Sequence, residues 1–278
     1  MKAILLLLFL ILGASCLEIA GIDVSHHQNK IDWKTVAKSK QFAIIRAGYG
    51  KGKIDDYWEQ NYKDAKAAGV KVGAYWYSYA TSVDAAKQEA KSFLKALEGK
   101  QLEWPVYYDI EEKSIFDNNL QNSIAQEFCD ILESHKYYCG IYSSASPLTN
   151  NFNSDVKNSH TIWVAHYGVS KPSYSGDYGI WQTGYGKVDG VNGDCDMDIG
   201  YIDFEPIIKD GGFNGFGSGS PSDPEPEPEG CNGKTVNQIA NEVIQGKWGN
   251  GKERVNKLTA AGCDYDTIQK EVNRILSS

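Results

Sequence analysis

The sequence predicts an α/β protein: an irregular (β/α) barrel of the TIM type with eight strands and about five helices, followed by a small three-helix bundle. Three observations point there. Eight short apolar runs of β type recur between residues 19 and 201, and helical patterns follow the early ones. A Gly/Ser stretch and then a Pro/Glu stretch interrupt the chain at 210–230. Three short helical segments come after them. An open α/β sheet is the alternative for the first part.

From the N-terminus, Lys2 precedes an apolar run, Ala3 to Leu12, that is too short to span a bilayer. Gly13-Ala14-Ser15-Cys16 then supplies small residues for cleavage. This predicts a signal peptide at 1–16 and an exported, extracellular protein. Candidate strands occupy 19–25, 42–49, 71–79, 104–111, 138–144, 160–167, 178–184 and 195–201. Helical patterns occupy 33–40, 57–68, 83–97 and 122–135. In the third of these, Ala85, Ala86, Ala90, Phe93, Leu94 and Leu97 share a face, with Lys87, Glu89, Lys91 and Lys95 between them. Beyond Tyr167 the gaps are short and rich in Gly, Ser and Asp, so loops replace helices there. The barrel is therefore placed at 17–209 and a linker at 210–230, with 221–229 extended by alternating Pro and acid. The tail, 231–278, reads as helices at 236–245, 251–261 and 265–276. Thr235 and Asp264 stand at N-cap positions, and Gly246 and Gly262 where helices end.

The formal net charge of −8 argues against nucleic acid as a partner, because phosphate binding wants a basic stripe. After residue 16 no segment is long and apolar enough to span a membrane. Seven Lys/Arg against five Asp/Glu make the tail mildly basic, which suits an anionic surface. Of six cysteines, Cys231 and Cys263 both lie in the tail and are natural partners. Cys129, Cys139 and Cys195 lie in the barrel and leave one over, their pairing open. No cysteine spacing fits zinc, and adjacent His26 and His27 cannot share a metal in helical geometry. Gly48, Gly50 and Gly52 miss the spacing of a dinucleotide loop. Neither a metal nor a cofactor is expected, and the chain is read as a monomer.

In such barrels chemistry collects at the C-terminal ends of the strands. Acids stand there inside apolar runs: Asp23 on the first, Asp109 and Glu111 on the fourth, Asp196 and Asp198 on the eighth. Residues i and i+2 of a strand share a face, roughly 6.5–7 Å apart at Cα, so Asp109 and Glu111 cannot ionise equally. A protonated acid beside ionised carboxylates is what glycoside cleavage needs. Glu111, the longer side chain, is the candidate general acid. Asp109 is expected to stay ionised, with Asp23 and Asp196 facing the site from neighbouring strands. Spacing alone leaves retention and inversion open.

The segments Gly21-Ile22-Asp23-Val24-Ser25, Arg46-Ala47-Gly48-Tyr49, Asp109-Ile110-Glu111, Trp163-Val164-Ala165-His166-Tyr167, Trp181-Gln182 and Gly190-Val191-Asn192-Gly193-Asp194-Cys195-Asp196 resemble glycoside hydrolase family 25, the Chalaropsis-type lysozymes or N-acetylmuramidases. The match runs in order over roughly 19–205. The resemblance implies an irregular barrel with five helices and cleavage of the bond after N-acetylmuramic acid in bacterial peptidoglycan. It implies Glu111 as acid with Asp109, Asp23 and Asp196 as its partners, and retention, with the substrate's acetamido group as one proposed nucleophile. The family often has Asp-x-Asn where this chain has Asp196-Met197-Asp198, which leaves Asp196 and Asp198 as alternatives. His166 stands where Gln is common. Tyr49, Tyr75, Tyr77, Tyr107, Tyr167 and Trp181 are candidates to line a sugar groove, the competing role being packing. In the tail, residues 242–251 and 258–265 resemble the CW-seven wall-binding repeat of phage-type lysins. That resemblance implies a three-helix module binding peptidoglycan, with Trp248, Arg254 and Tyr265 as contact candidates. Cys263 replaces its usual Tyr, which fits a bridge to Cys231.

Two other classes compete with this reading. A catalytically silent wall-binding protein would not need all the expected carboxylates. A chitinase-like hydrolase carries a different acid-rich strand signature, and a wall-binding tail would not suit chitin.

Overall fold

The computed structural model describes residues 17–217, 231, 234, 236–244, 247–249 and 251–277. The predicted signal peptide, the Pro/Glu stretch and the capping candidates Thr235 and Gly246 lie outside the described residues. Two compact units divide at residue 220.

In the first unit eight strands close a barrel. β1 (Ile19–Val24) pairs with β2 (Phe42–Tyr49), whose end carries a two-residue hairpin arm, β3 (Lys53–Ile54). The sheet continues through β4 (Lys71–Tyr77), β5 (Val106–Asp109), β6 (Cys139–Ser144), β7 (Thr161–Ala165) and β8 (Ile180–Lys187), all parallel. β9 (Asp194–Gly200) closes the ring between β8 and β1 and is antiparallel to both. A regular (β/α) barrel is parallel throughout, and this last strand departs from that for a simple reason. A parallel crossover needs about a dozen residues, and 188–193 are too few. Gly190 and Gly193, at φ +92° and +93°, turn the chain straight back.

The helices are α1 (Trp33–Val36), α2 (Trp58–Ala67), α3 (Val83–Leu97), α4 (Lys113–Asp117), α5 (Gln121–Ser134), α6 (Ala145–Asn150), α7 (Ser154–Ser159) and α8 (Phe204–Asp210). A 3-10 turn, His26–Gln28, follows β1. The count exceeds five because α4, α6, α7 and α8 are five to seven residues long, too short for a helical period to show in sequence. Ser82 caps α3 by accepting the Ala85 N–H at 3.1 Å, a contact of about 1 kcal/mol. Glu89 departs from its expected solvent-facing position. It is buried and accepts the Tyr108 hydroxyl at 2.6 Å and the Tyr79 N–H at 3.0 Å.

Alternate strand residues face the barrel interior and the helices. Inside, Phe42 stacks on Trp104 at 3.6 Å, with Phe204 against its edge. Gly21 and Gly200 are required at this end, since a Cβ on either would run into those rings. Outside, Ile45, Val72, Trp76 and Tyr108 pack under the helices, Tyr108 stacking on Phe128 of α5 at 3.7 Å. The interior layers close the bottom of the barrel, so the opposite end is where it opens.

Residues 211–217 were expected to be flexible linker, yet they belong to the barrel unit. Asn214 is fully buried, donates to the Trp104 and Leu102 carbonyls at 2.9 and 3.3 Å, and accepts the Tyr138 N–H at 2.8 Å. Phe213 packs on Tyr138. The glycines around these anchors mask them in a composition-based reading.

The second unit holds α9 (Val236–Ile244), α10 (Lys252–Ala260) and α11 (Tyr265–Ser277). Its core is small: Val236, Ile239, Ala240, Val243, Leu258, Ile268 and Val272. Cys231 and Cys263 are disulfide-bonded across a 32-residue separation, the kind of staple a core this size needs. Asp264 accepts the Thr267 hydroxyl at 2.8 Å ahead of α11, and Gly262, at φ +77°, ends the turn after α10. Among the described residues no helix is long and apolar enough to cross a membrane.

Candidate active site

A cleft of about 280 Å³ opens at the C-terminal ends of the strands. Four expected acids, Asp23, Asp109, Glu111 and Asp196, all line it. Three of them stand on strands near the barrel mouth, and the fourth follows the end of one. Asp23 and Asp196 are register partners on antiparallel β1 and β9. Asp109 ends β5 between Tyr77 of β4 and Tyr142 of β6. Glu111 lies past the end of β5 rather than on it. The chain there is still tied to β6, because Ile110 N donates to the Tyr142 carbonyl at 3.0 Å and Ser143 Oγ to the Ile110 carbonyl at 2.7 Å.

Asp23 and Asp109 are only 5% and 4% exposed, whereas Glu111 is open to solvent at the mouth. Asp23 accepts the Gln182 amide at 2.6 Å. The same amide's oxygen accepts the hydroxyls of Tyr142 at 2.7 Å and Tyr167 at 2.6 Å. Asp198 lies deeper, 2% exposed, and accepts the Trp163 indole N–H at 2.8 Å. It does not line the cleft.

Burial raises every acid here, and repulsion between carboxylates adds to it for Asp23, Asp109, Glu111 and Asp198. Asp109 is pushed well above the usual carboxylate range by burial, then by Glu111, with the Arg46 guanidinium pulling it back. Glu111 is raised by burial of its carboxyl against the Tyr77 hydroxyl bond that lowers it, and further by Glu112 and Asp196. Its exposure as a residue makes this the milder shift. Asp23 is raised well above by burial, then by Asp198 and Asp196. The expectation that Asp109 stays ionised beside a protonated Glu111 is therefore corrected: the low dielectric around it favours its neutral form at least as strongly as that of Glu111.

Arg46 reaches the cleft because Asp55 holds it. The Arg46 Nε donates to Asp55 Oδ2 at 2.9 Å, and His26 Nδ1 sits 2.9 Å from the same oxygen. Burial would raise Asp55, but the Tyr57 N–H, His26 and Arg46 hold it below the usual range.

Of the six aromatic candidates, Tyr75, Tyr77 and Tyr167 line the cleft. Tyr77 donates to Glu112 at 2.7 Å. The other three do not line it. Tyr107 is fully buried in the barrel interior below Asp109. Trp181 faces the helices, its indole N–H on the His166 carbonyl at 2.9 Å. Tyr49 stacks beside Arg46, the guanidinium carbon 5.3 Å from its ring. Sequence reasoning named Trp181 for its aromatic ring and passed over its neighbour Gln182, which period-two alternation turns inward. Tyr142 and Trp163 were missed in the same way.

A larger groove of about 710 Å³ lies between α1, α2 and the loop at 190–192. It gathers no comparable set of raised acids, so the smaller cleft is the chemical site. Among the described residues no group of three or more His, Cys, Asp or Glu side chains is arranged to hold a metal ion.

In the second unit the three contact candidates are half-buried. Trp248 donates to Glu242 at 3.1 Å and Arg254 to the Gly249 carbonyl at 3.2 Å. The Tyr265 hydroxyl is 3.3 Å from Gln269 Oε1.

A barrel closed by an antiparallel strand, with acids gathered at its strand ends, defines the class: a glycoside hydrolase. Residues 22–191 match Glycosyl hydrolases family 25, and the chain belongs to that family, the family of lysozymes. Residues 237–276 match the CW_7 repeat. The chain is 34% identical over 190 residues to the uncharacterized protein YegX of Escherichia coli (strain K12), covering 65% of this chain and 69% of that one. It is 30% identical over 180 residues to the autolytic lysozyme of Clostridium acetobutylicum, covering 64% and 54%. The crystal structure of the bacterial lysozyme from Streptomyces coelicolor superposes with a TM-score of 0.56 at 27% identity, covering 68% of this chain and 95% of that one.

Proposed function

We propose that this enzyme is an exported lysozyme that hydrolyses the β-1,4 bond between N-acetylmuramic acid and N-acetylglucosamine in peptidoglycan, and that its tail holds it to the wall. The observation that carries this is the convergence of Asp23, Asp109, Glu111 and Asp196 on one cleft, with Glu111 the exposed member. Raised carboxyls keep protons in the cleft, and Glu111 is the one a glycosidic oxygen can reach. It donates that proton to the leaving sugar as the bond breaks, and the oxocarbenium-like charge left on the other ring is stabilised by those of the other cleft carboxyls that are ionised. The substrate's acetamido oxygen is the candidate nucleophile, and Asp109 or Asp23 would then position or stabilise it. Tyr75, Tyr77 and Tyr167 offer ring faces and hydroxyls to the glycan. The CW_7 repeat and the net positive tail support delivery to an anionic wall.

The test is Glu111→Gln, assayed by release of reducing ends from purified peptidoglycan beside a wall pull-down. Turnover should fall roughly 100-fold or more, the usual size of general acid catalysis, while wall binding persists. A folded variant with near-normal turnover refutes the assignment. An unmodified protein that binds walls and releases no reducing ends would instead be the silent binding protein.

A further inference from the structure

Cys129, in the second half of α5, and Cys139, the first residue of β6, are ten residues apart in sequence, on either side of the turn at 135–138. Their side chains meet under the helix. The two Sγ atoms are 2.8 Å apart, and both residues are buried, at 0% and 3% exposure. Two non-bonded sulfur atoms do not rest so close. A disulfide is about 2.05 Å long, so bonding would draw the sulfurs together by less than about 0.8 Å. Among the described residues no other cysteine competes: Cys195 lies on β9, against the carbonyls of Asp23 and Asp196, and Cys231 is bonded to Cys263.

We propose that Cys129 and Cys139 form a second disulfide in the exported protein. The chemistry is thiol–disulfide exchange with a disulfide donor, either oxidised glutathione or an oxidised dithiol oxidoreductase. One cysteine thiolate attacks the donor's S–S bond and forms a mixed disulfide. The second then displaces the donor sulfur. One S–S bond forms and one breaks, the two cysteines lose two protons and two electrons, and the donor leaves as two thiols. In the folded protein neither sulfur is accessible, and burial pushes the Cys129 thiol well above its ordinary pKa. The bond therefore closes during folding, before α5 seals against the sheet.

This pairing resolves the odd count in the barrel and leaves Cys195 as its free thiol. It also has a place in the architecture. β6 braces the acid-bearing chain of β5 through the Tyr142 carbonyl and Ser143 Oγ, and sends the Tyr142 hydroxyl to Gln182. The link would fasten α5 to that brace. The proposal rests on passage through an oxidising compartment and not on the identity of the substrate.

The test is to refold the reduced full chain in a glutathione redox buffer. It is then denatured, alkylated without reductant, and its peptides mapped under non-reducing conditions. The expected result is a Cys129–Cys139 linked peptide beside Cys231–Cys263, with alkylated Cys195. Alkylation of both Cys129 and Cys139, or a link from either to Cys195, overturns the proposal. A Cys129→Ala/Cys139→Ala double variant should melt about 5–10 °C below the oxidised parent, the shift expected for a bridge over a loop this short in a unit this size. If that variant does not fold, the peptide map alone decides.

Discussion

The carboxyl of Asp198 sits one step below the cleft, where an ionised group has no water to face. Burial pushes its pKa up to about 8, the Trp163 indole N–H opposes this, and Asp196 adds to it. Gly21 on β1 and Gln182 on β8 are its partners across the sheet, and the Asp23 carboxyl is hydrogen-bonded to it. The consequence for stability follows from linkage. The folded protein keeps this proton up to about pH 8, while the unfolded chain releases it near the ordinary value of 3.8. The native state thus binds more protons through this window, and stability falls as pH rises from about 4 to about 8. Asp198→Asn keeps the shape and removes the titration. Its melting temperature should match the parent's near pH 4 and exceed it by several degrees at pH 8. A difference that stays flat between these pH values would show that Asp198 does not hold the proton. Turnover separates it from its neighbour: Asp196→Asn, at the cleft wall, should cost more activity than Asp198→Asn.

At the scale of elements, the legible parts were those whose period repeats. α3 begins and ends where its apolar face predicts, and β2 likewise, because fifteen and eight residues give the pattern room to declare itself. The acids were legible because a carboxylate inside an apolar run has few reasons to be there. What stayed hidden depends on partners far along the chain. Tyr107 and Trp181 are aromatic residues near strand ends, yet alternation and depth, not composition, put them in the core. Asn214 is the clearest case. From a glycine-rich segment it reaches back more than 70 residues to pair with Tyr138 and more than 100 to pair with Trp104. Asn214→Ala would leave the Leu102 and Trp104 carbonyls and the Tyr138 N–H buried without this partner. At about 1–3 kcal/mol for a buried unsatisfied group, partly relieved by relaxation, the cost should be about 2–4 kcal/mol. Urea unfolding followed by tryptophan fluorescence should show a lower midpoint with an unchanged slope. A midpoint within error of the parent would return residues 211–217 to the linker.

At the scale of the whole molecule, the chain divides into two compact units of unequal size. The barrel encloses a complete cleft, since every residue lining it comes from residues 23–196. The tail has a core of its own and a disulfide to hold it. If the tail acts only by keeping the enzyme near its insoluble substrate, its contribution is one of local concentration and vanishes for substrates free in solution. Removing residues 221–278 should therefore lower retention on purified walls and slow their lysis, while cleavage of short soluble glycan fragments stays within about twofold, since no cleft residue is removed. The truncation ends after residue 220, so the anchors Phe213 and Asn214 stay in place. The measurement pairs wall sedimentation with fragment turnover on the same preparations. Fragment turnover that collapses in a truncated protein with the parent's barrel melting transition would mean that the tail shapes the cleft itself. Unchanged sedimentation would mean that wall affinity resides in the barrel.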